Sequence, residues 1–341
     1  MIESNPFFAH NMEIVPESSF KSIIKVIGVG GGGSNAVRHM STLDIKGADL
    51  IVCNTDSQAL ASNPVTNKIK LGEQGLGAGT DPEVGKKAAI QSKEKIEAIM
   101  TEETQMVFLT AGMGGGTGTG AAPVIAEIAA NRGMLTVAVV TAPYTWEGSD
   151  KIQFARNGIE ELKKYSDTVL VVLNDKLAQL YEDLPVLQAF QKADDVLAKA
   201  VKSVVDVIAK PGNINTDFMD VKKVLTKAGQ ALMSSATGSG SDRALSAISQ
   251  ALDSPLLNSQ EIKGAKRILI TVSTSTNNSL RMSEQNIIID YVMKRVNAQA
   301  NMVKFGFSSD ESLGEDLYLT IIAAGFENEF NTYDLFFPNS N

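Results

Sequence analysis

The sequence predicts an α/β protein: a Rossmann-like parallel-sheet domain joined through a long central helix to a smaller α+β domain. Three observations predict it. Near-continuous Val/Ile/Leu runs alternate with helical stretches through the first half, the pattern of parallel strands covered on both faces. From residue 186 to 209 the apolar residues Leu187, Phe190, Leu197, Val201, Val204 and Ile208 recur at helical spacing. After the breaker Lys210-Pro211-Gly212-Asn213 the texture changes to helices and strands with Gly/Ser-rich connections. A chain of 341 residues accommodates about two domains.

The elements follow in order. Residues 23–29 read as a buried strand, and a glycine run leads to a helix from Asn35 to about Ser41. Residues 49–53 and 68–71 are the next strands, and a helix runs from about Pro82, a good first-turn residue, to Met100. A strand at 106–111 enters a second glycine run, which opens a helix at 121–131. Strands at 134–141 and 168–173 flank a helix at about 148–165. Beyond the central helix come a helix at about 219–228 and a Gly/Ser-rich connection at 234–241. A helix at 242–252 follows, then strands at 266–273 and 315–324 on either side of a helix near 283–297. The expected division is a flexible segment 1–20, a first α/β domain 21–185, the central helix 186–209, a C-terminal α+β domain 210–325 and a loose stub 326–341.

Composition excludes several classes. With 43% hydrophobic and 21% charged residues the chain is that of a soluble globular protein. The single cysteine, Cys53, ends a strand-like run and is expected to be buried; it excludes an intramolecular disulfide and fits a reducing cytoplasm. His10 and His39 have no cysteine partners at zinc-ligand spacing. A net charge of −8 argues against binding driven by a nucleic-acid backbone. No apolar run approaches the ~20 residues of a membrane span, and residues 1–11, with Glu3 and no apolar core, do not read as a secretory signal.

Two glycine runs carry the chemistry. Gly112-Met113-Gly114-Gly115-Gly116-Thr117-Gly118-Thr119-Gly120 lies between a strand and a helix, the arrangement of a phosphate cradle. Glycines let backbone approach an anion, N–H groups at the helix start bind it, and two threonine hydroxyls add donors. A β-branched residue at Gly116 or Gly118 is expected to abolish nucleotide binding without unfolding the sheet. No stretch reads G-x-x-x-x-G-K-[ST]. Gly28-Val29-Gly30-Gly31-Gly32-Gly33-Ser34-Asn35 also follows a strand, and Asp56 lies 23 residues beyond Gly33. Alone, that is the dinucleotide fingerprint of an NAD(P)-dependent oxidoreductase. A second cradle favours a triphosphate gripped from several sides. Asn54-Thr55-Asp56 and Gly75-Leu76-Gly77-Ala78-Gly79-Thr80 fall where open α/β sheets bind ligands. Phe190 and Asp194 are i, i+4 neighbours, so a ring and a carboxylate share one helix face. A carboxylate suits the N1–H and N2–H₂ donors of guanine. A core Phe190 with Asp194 on a backbone donor or in solvent fits these residues equally well.

The segment from Gly114 to Gly120 resembles the G-G-G-T-G-[ST]-G signature of the tubulin/FtsZ family, and the resemblance covers about residues 20–325. It implies a GTPase that binds GTP or GDP with Mg²⁺. The phosphate loops would comprise Gly30, Gly31, Gly32, Ser34 and Asn35; Asn54 and Asp56; Ala78 and Gly79; and Gly114, Gly115, Gly116, Thr117, Gly118, Thr119 and Gly120. Pro143-Tyr144-Thr145-Trp146-Glu147-Gly148 resembles a further loop in which Glu147 would contact the ribose. Asn174 would contact the guanine, with Phe190 stacking on it and Asp194 hydrogen-bonding it. Lys151 stands where the family usually has an arginine on a phosphate, which turns a bidentate contact into a point charge. Asp195 follows Asp194, so how the two share the base is open.

Asn215-Thr216-Asp217-Phe218-Met219-Asp220-Val221 resembles the family's synergy loop, which implies catalytic roles for Asn215, Asp217 and Asp220. About 20 helical residues separate Phe190 from this loop, or ~30 Å, so its carboxylates would act on a neighbouring molecule's nucleotide. A repeated head-to-tail contact that does not close gives a filament. The resemblance implies a cytoplasmic protein of the mid-cell division ring. It also implies membrane-anchored division partners bound through a C-terminal tail, which is not recognisable here, and neither nucleic-acid binding nor direct membrane insertion. The rivals are the oxidoreductase and a GTP-binding scaffold that does not hydrolyse.

Overall fold

The apolar runs of the first half become six parallel strands: β1 (Ile24–Val29), β2 (Asp49–Asn54), β3 (Asn67–Lys70), β4 (Met106–Gly112), β5 (Leu135–Ala142) and β6 (Thr168–Leu173). The computed structural model describes residues 22–43, 45–209, 218–254, 262, 264–296 and 300–326. Neighbouring strands run in the order β3-β2-β1-β4-β5-β6. The chain therefore winds one way from β1 to β3 and the other way from β4 to β6. The point of reversal, between β1 and β4, is where an open α/β sheet leaves a crevice beyond its carboxyl edge. Both glycine runs begin there.

Period-two alternation divides the core. Ile24, Val26, Phe108, Val137 and Val139 face α1 (Gly30–Thr42) and the central helix. Ile27, Val29, Leu109, Ala111 and Val140 pack in the opposite layer, with residues of α3 (Pro82–Gln91), α4 (Lys93–Ile99), α5 (Gly116–Asn131) and α6 (Ser149–Tyr165). Cys53 is buried there, as expected. Two short helices escape a periodicity reading: α2 (Ser57–Ser62), capped by Asp56, and α7 (Asn174–Leu180). The helix expected over 82–100 is two, broken at Ser92, whose hydroxyl accepts a hydrogen bond from Gly72 N.

The central helix α8 spans Val186–Ala209 as expected, with Val201, Val204 and Val205 fully buried. After α9 (Phe218–Leu225) the structure corrects the sequence reading. The Gly/Ser-rich stretch is not a connection but the distal part of a strand, β7 (Gly229–Gly238). Residues Gly229 to Ala231 pair parallel with β6, and Leu232 to Gly238 pair antiparallel with β10 (Leu317–Phe326). A single ten-stranded sheet therefore runs through both halves, continuing from β7 as β10-β8-β9. Its small residues reflect close packing: a Cβ on Gly238 would lie 1.9 Å from the carbonyl oxygen of Arg243 in α10 (Arg243–Leu252). β8 (Ala265–Thr274) and α11 (Met282–Arg295) fall near their expected places. The edge strand β9 (Met302–Ser309), mostly half-buried and with its apolar residues confined to Met302, Val303, Phe305 and Phe307, is absent from the sequence reading.

Candidate functional site

The cleft at the β1/β4 reversal is built mainly from backbone. α1 starts at Gly30 with no intervening loop, five residues before the expected start. Gly30 has φ +71°, and a Cβ on it would lie 2.9 Å from Gly118 N, so the two glycine runs touch. α5 likewise starts inside its glycine run, at Gly116, with Gly115 as an N-cap that carries no side chain. The helix thus presents the N–H groups of Thr117 and Gly118, which have no carbonyl one turn back within the helix, at the carboxyl edge of the sheet.

The loop at 75–81 is tied in by backbone bonds. Gly77 N donates to Thr55 O at 3.1 Å, Ser57 N to Gly75 O at 3.0 Å, and Gly116 N to Gly79 O at 3.2 Å. The glycines divide into two kinds. Gly31, Gly79 and Gly115, one from each loop, have no atom within 4 Å of an added Cβ. Gly116 and Gly118 are packed against protein instead. A Cβ on Gly116 would lie 2.8 Å from the carbonyl oxygens of Ala78, Gly79 and Asp81, and one on Gly118 would lie 2.4 Å from that of Gly112. Neither has positive φ. These close approaches speak against the expectation that substitution there spares the sheet.

The polar side chains of these loops have mixed duties. The Thr55 and Thr117 hydroxyls share a hydrogen bond at 2.6 Å, and Thr119 Oγ1 accepts from Gly114 N at 2.8 Å. Asn54 Oδ1 accepts from Asp56 N at 3.2 Å, while Asp56 Oδ1 caps α2 through Gln58 N and Ala59 N. Ser34 Oγ and Asn174 Oδ1 are buried and have no hydrogen-bond partner among the described residues. Leaving such atoms unpaired is costly, and both belong to the residue set expected to hold a nucleotide.

On the β5 and β6 side, the backbone N–H of Thr145 donates to the Asp175 carboxylate at 3.2 Å, which fastens the 143–148 loop to α7. Glu147 accepts from Tyr144 N at 2.9 Å and from Lys151 Nζ at 2.9 Å. Lys151 is thus paired with the carboxylate expected to meet the ribose. Gly114 lies against this pair, its Cβ position 3.0 Å from Lys151 O and 3.3 Å from Pro143 Cγ. An aromatic ladder missed in the sequence runs alongside. Trp146 stacks on Tyr144 at 5.2 Å between centroids, and Tyr144 tilts against Phe190 at 5.8 Å.

Phe190 is 42% exposed on α8, which excludes the core reading. Asp194, one turn on, has no protein hydrogen bond among the described residues. Burial raises its pKa from the usual carboxylate range to about 6, against the pull of His39 and Arg38. Asp195 is engaged elsewhere, with His39 and Lys199. Away from the cleft, Asp220 in the first turn of α9 meets Lys304 of β9 at 2.5 Å. Asn215 and Asp217 lie outside the described residues. No group of three His, Cys, Asp or Glu side chains poised for a metal occurs among the described residues, and no described helix is long and apolar enough to cross a membrane.

Comparisons with known proteins give the family and the fold. Residues 23–182 match the family model described as the Tubulin/FtsZ family GTPase domain, and 229–327 match the FtsZ family C-terminal domain. The chain is 43% identical over 317 residues to the cell division protein FtsZ of Azotobacter vinelandii, covering 92% of this chain and 79% of that one. The Pseudomonas aeruginosa protein of the same name is 42% identical over the same share of each. Among solved structures, an empty FtsZ dimer from M. jannaschii superposes with a TM-score of 0.84 at 39% identity, covering 90% of this chain and 89% of that one. CetZ2 from Haloferax volcanii, at 20% identity, shares the fold with a TM-score of 0.79 over 92% and 96% of the two chains.

Proposed function

The chain belongs to the FtsZ family of tubulin-like GTPases, and from that premise we propose that the cleft at the β1/β4 reversal holds GTP and that hydrolysis waits on head-to-tail assembly. The protein is a GTP-binding, GTP-hydrolysing cell-division protein that self-associates. The dinucleotide reading of Gly28 to Gly33 finds no support. The observation that carries the site assignment is that two residues of the expected nucleotide set, Ser34 near the start of α1 and Asn174 at the start of α7, hold buried side-chain oxygens with no hydrogen-bond partner among the described residues.

In this reading the N–H groups at the starts of α1 and α5 take the phosphates, Phe190 stacks on the guanine, and Asp194 accepts from N1–H and N2–H₂. Glu147 leaves Lys151 for the ribose, which frees the ammonium for a phosphate. The cradle is formed of backbone donors with few carboxylates, so Mg²⁺ would be held mainly by phosphate oxygens and water, where it neutralises phosphate charge. Asp217 and Asp220 of one subunit orient water at the nucleotide of the next. The protein works in the cytoplasm as part of the mid-cell division ring, with membrane-anchored partners.

Following phosphate release and light scattering together after adding GTP tests this. Both should rise, and scattering without phosphate release would leave a non-hydrolysing scaffold. The base assignment makes a separate prediction. GTP should protect against thermal unfolding more than ATP, and equal protection would refute it.

Asp194 adds a pH signature. Its folded pKa is raised, so the empty fold bears a penalty from this group above about pH 6, relieved as pH falls toward 4. Guanine needs the ionised form, so GTP affinity should be full at pH 7.5 and fall about tenfold per unit below pH 6. Asp194→Asn should bind GTP more weakly at neutral pH and lose this dependence. A titration curve unchanged in that variant would remove Asp194 from the base.

A further inference from the structure

His39, which stands without a ligand partner in the sequence, has a partner in the fold. It lies in the last turn of α1, and its Nε2 is 3.2 Å from Asp195 Oδ1. The other oxygen of Asp195 meets Lys199 Nζ at 2.8 Å, one turn further along α8. The same ammonium lies 5.8 Å from the centroid of the Tyr318 ring on β10. Asp195 is thus gripped from two elements, and its side chain is only 19% exposed. We propose that Asp195 is a positioning residue for base recognition, held by His39 and Lys199 so that Phe190 and Asp194 are turned into the cleft.

The argument is geometric. Successive residues of a helix point about 100° apart, so although His39 pulls on both carboxylates, it is Asp195 and not Asp194 that lies within hydrogen-bond distance of it. Residues four apart share a face. Phe190 and Asp194 form one such row, and Asp195 and Lys199 form the next, against α1 and β10. Fixing the second row fixes the roll of the helix and therefore the first. α1 is also the helix whose first residue, Gly30, opens the phosphate loop. The His39–Asp195 contact therefore spans the two helices that would hold opposite ends of one nucleotide, and sets the spacing between them. Burial alone would raise the Asp195 pKa, but the hydrogen bonds from Lys199 and His39 outweigh it and keep the group ionised. Asp194, with no such partner, stays free for a ligand. This inference rests on the guanine-nucleotide reading of the cleft.

Affinities of the full chain for GTP and for ATP, measured by calorimetry, test it. Asp195→Ala, His39→Gln and Lys199→Met should each lower GTP affinity about tenfold while changing ATP affinity little, so that base selectivity falls. Asp195→Asn, which keeps an acceptor for Lys199 and a polar partner for His39, should stay within about threefold of the unaltered protein. Asp195→Asn and His39→Gln preserve side-chain volume, and nucleotide-free melting curves identify any variant that fails to fold. If Asp195→Asn loses as much affinity as Asp195→Ala while His39→Gln and Lys199→Met bind normally, Asp195 is itself a base contact and the positioning role is overturned. Normal selectivity in all four variants overturns it as well. Absence of any GTP preference in the unaltered protein would instead refute the guanine reading before a variant is made.

Discussion

Asp217→Ala is expected to bind GTP as tightly as the unaltered protein and to hydrolyse it about 10²–10³-fold more slowly, the cost of losing a group that acts only on the attacking water. Unchanged binding follows from distance. Phe190 sits in the second turn of α8, which ends at Ala209, and at 1.5 Å per residue the far end of the helix is about 30 Å away. On that spacing a carboxylate beyond that end is expected to lie out of reach of its own subunit's nucleotide. Asp220, in the first turn of the next helix, is held by Lys304. Polymers formed by Asp217→Ala should be long-lived, because assembly would no longer trigger turnover. In the unaltered protein, specific activity should rise with protein concentration. Mixing Asp217→Ala with a variant that cannot bind nucleotide should restore some activity wherever an intact loop meets an intact cleft, provided the second variant still joins filaments. Turnover independent of concentration would mean that each subunit hydrolyses alone, and the shared site would have to be abandoned.

What could be read in the sequence was whatever local pattern carries. The buried parallel strands announce themselves as Val/Ile runs, and α8 by its stripe, because both depend on side chains within a few residues of one another. β7 was misread because its Ser, Ala, Thr and Gly residues answer to a tertiary demand, the close approach of α10, that leaves a loop-like composition. β9, an edge strand, carries its apolar face on only three residues, Val303, Phe305 and Phe307, between polar ends. The cleft residues were legible as motifs, yet their partners were not. Thr55 with Thr117 and His39 with Asp195 are separated by 62 and 156 residues. Nothing local in the sequence joins them. Nor could a glycine run say which of its members face a ligand and which face protein.

That last distinction decides the largest effect expected at the cleft. Gly115→Val should fold and lose GTP binding, whereas Gly118→Val should lose the fold. At Gly115 the backbone has φ −91° and ψ 168°, a conformation open to any residue, and an added Cβ meets nothing. The new methyls therefore stand in open space beside the free N–H groups of α5, where a phosphate would have to sit. Valine is a poor N-cap, which costs about 1 kcal/mol and a few degrees of melting temperature, not the fold. At Gly118 the first added carbon is already 2.4 Å from the Gly112 carbonyl oxygen, and backbone cannot rotate away as a side chain could. Over-packing of this kind costs about 3 kcal/mol or more and separates α5 from β4, the two elements that form the cradle. Nucleotide-free melting curves distinguish the two variants, and GTP titration of Gly115→Val completes the test. Normal GTP affinity in a well-folded Gly115→Val would show that the phosphates lie elsewhere, because no other rearrangement is needed to admit the valine and none would clear its methyls from the start of α5.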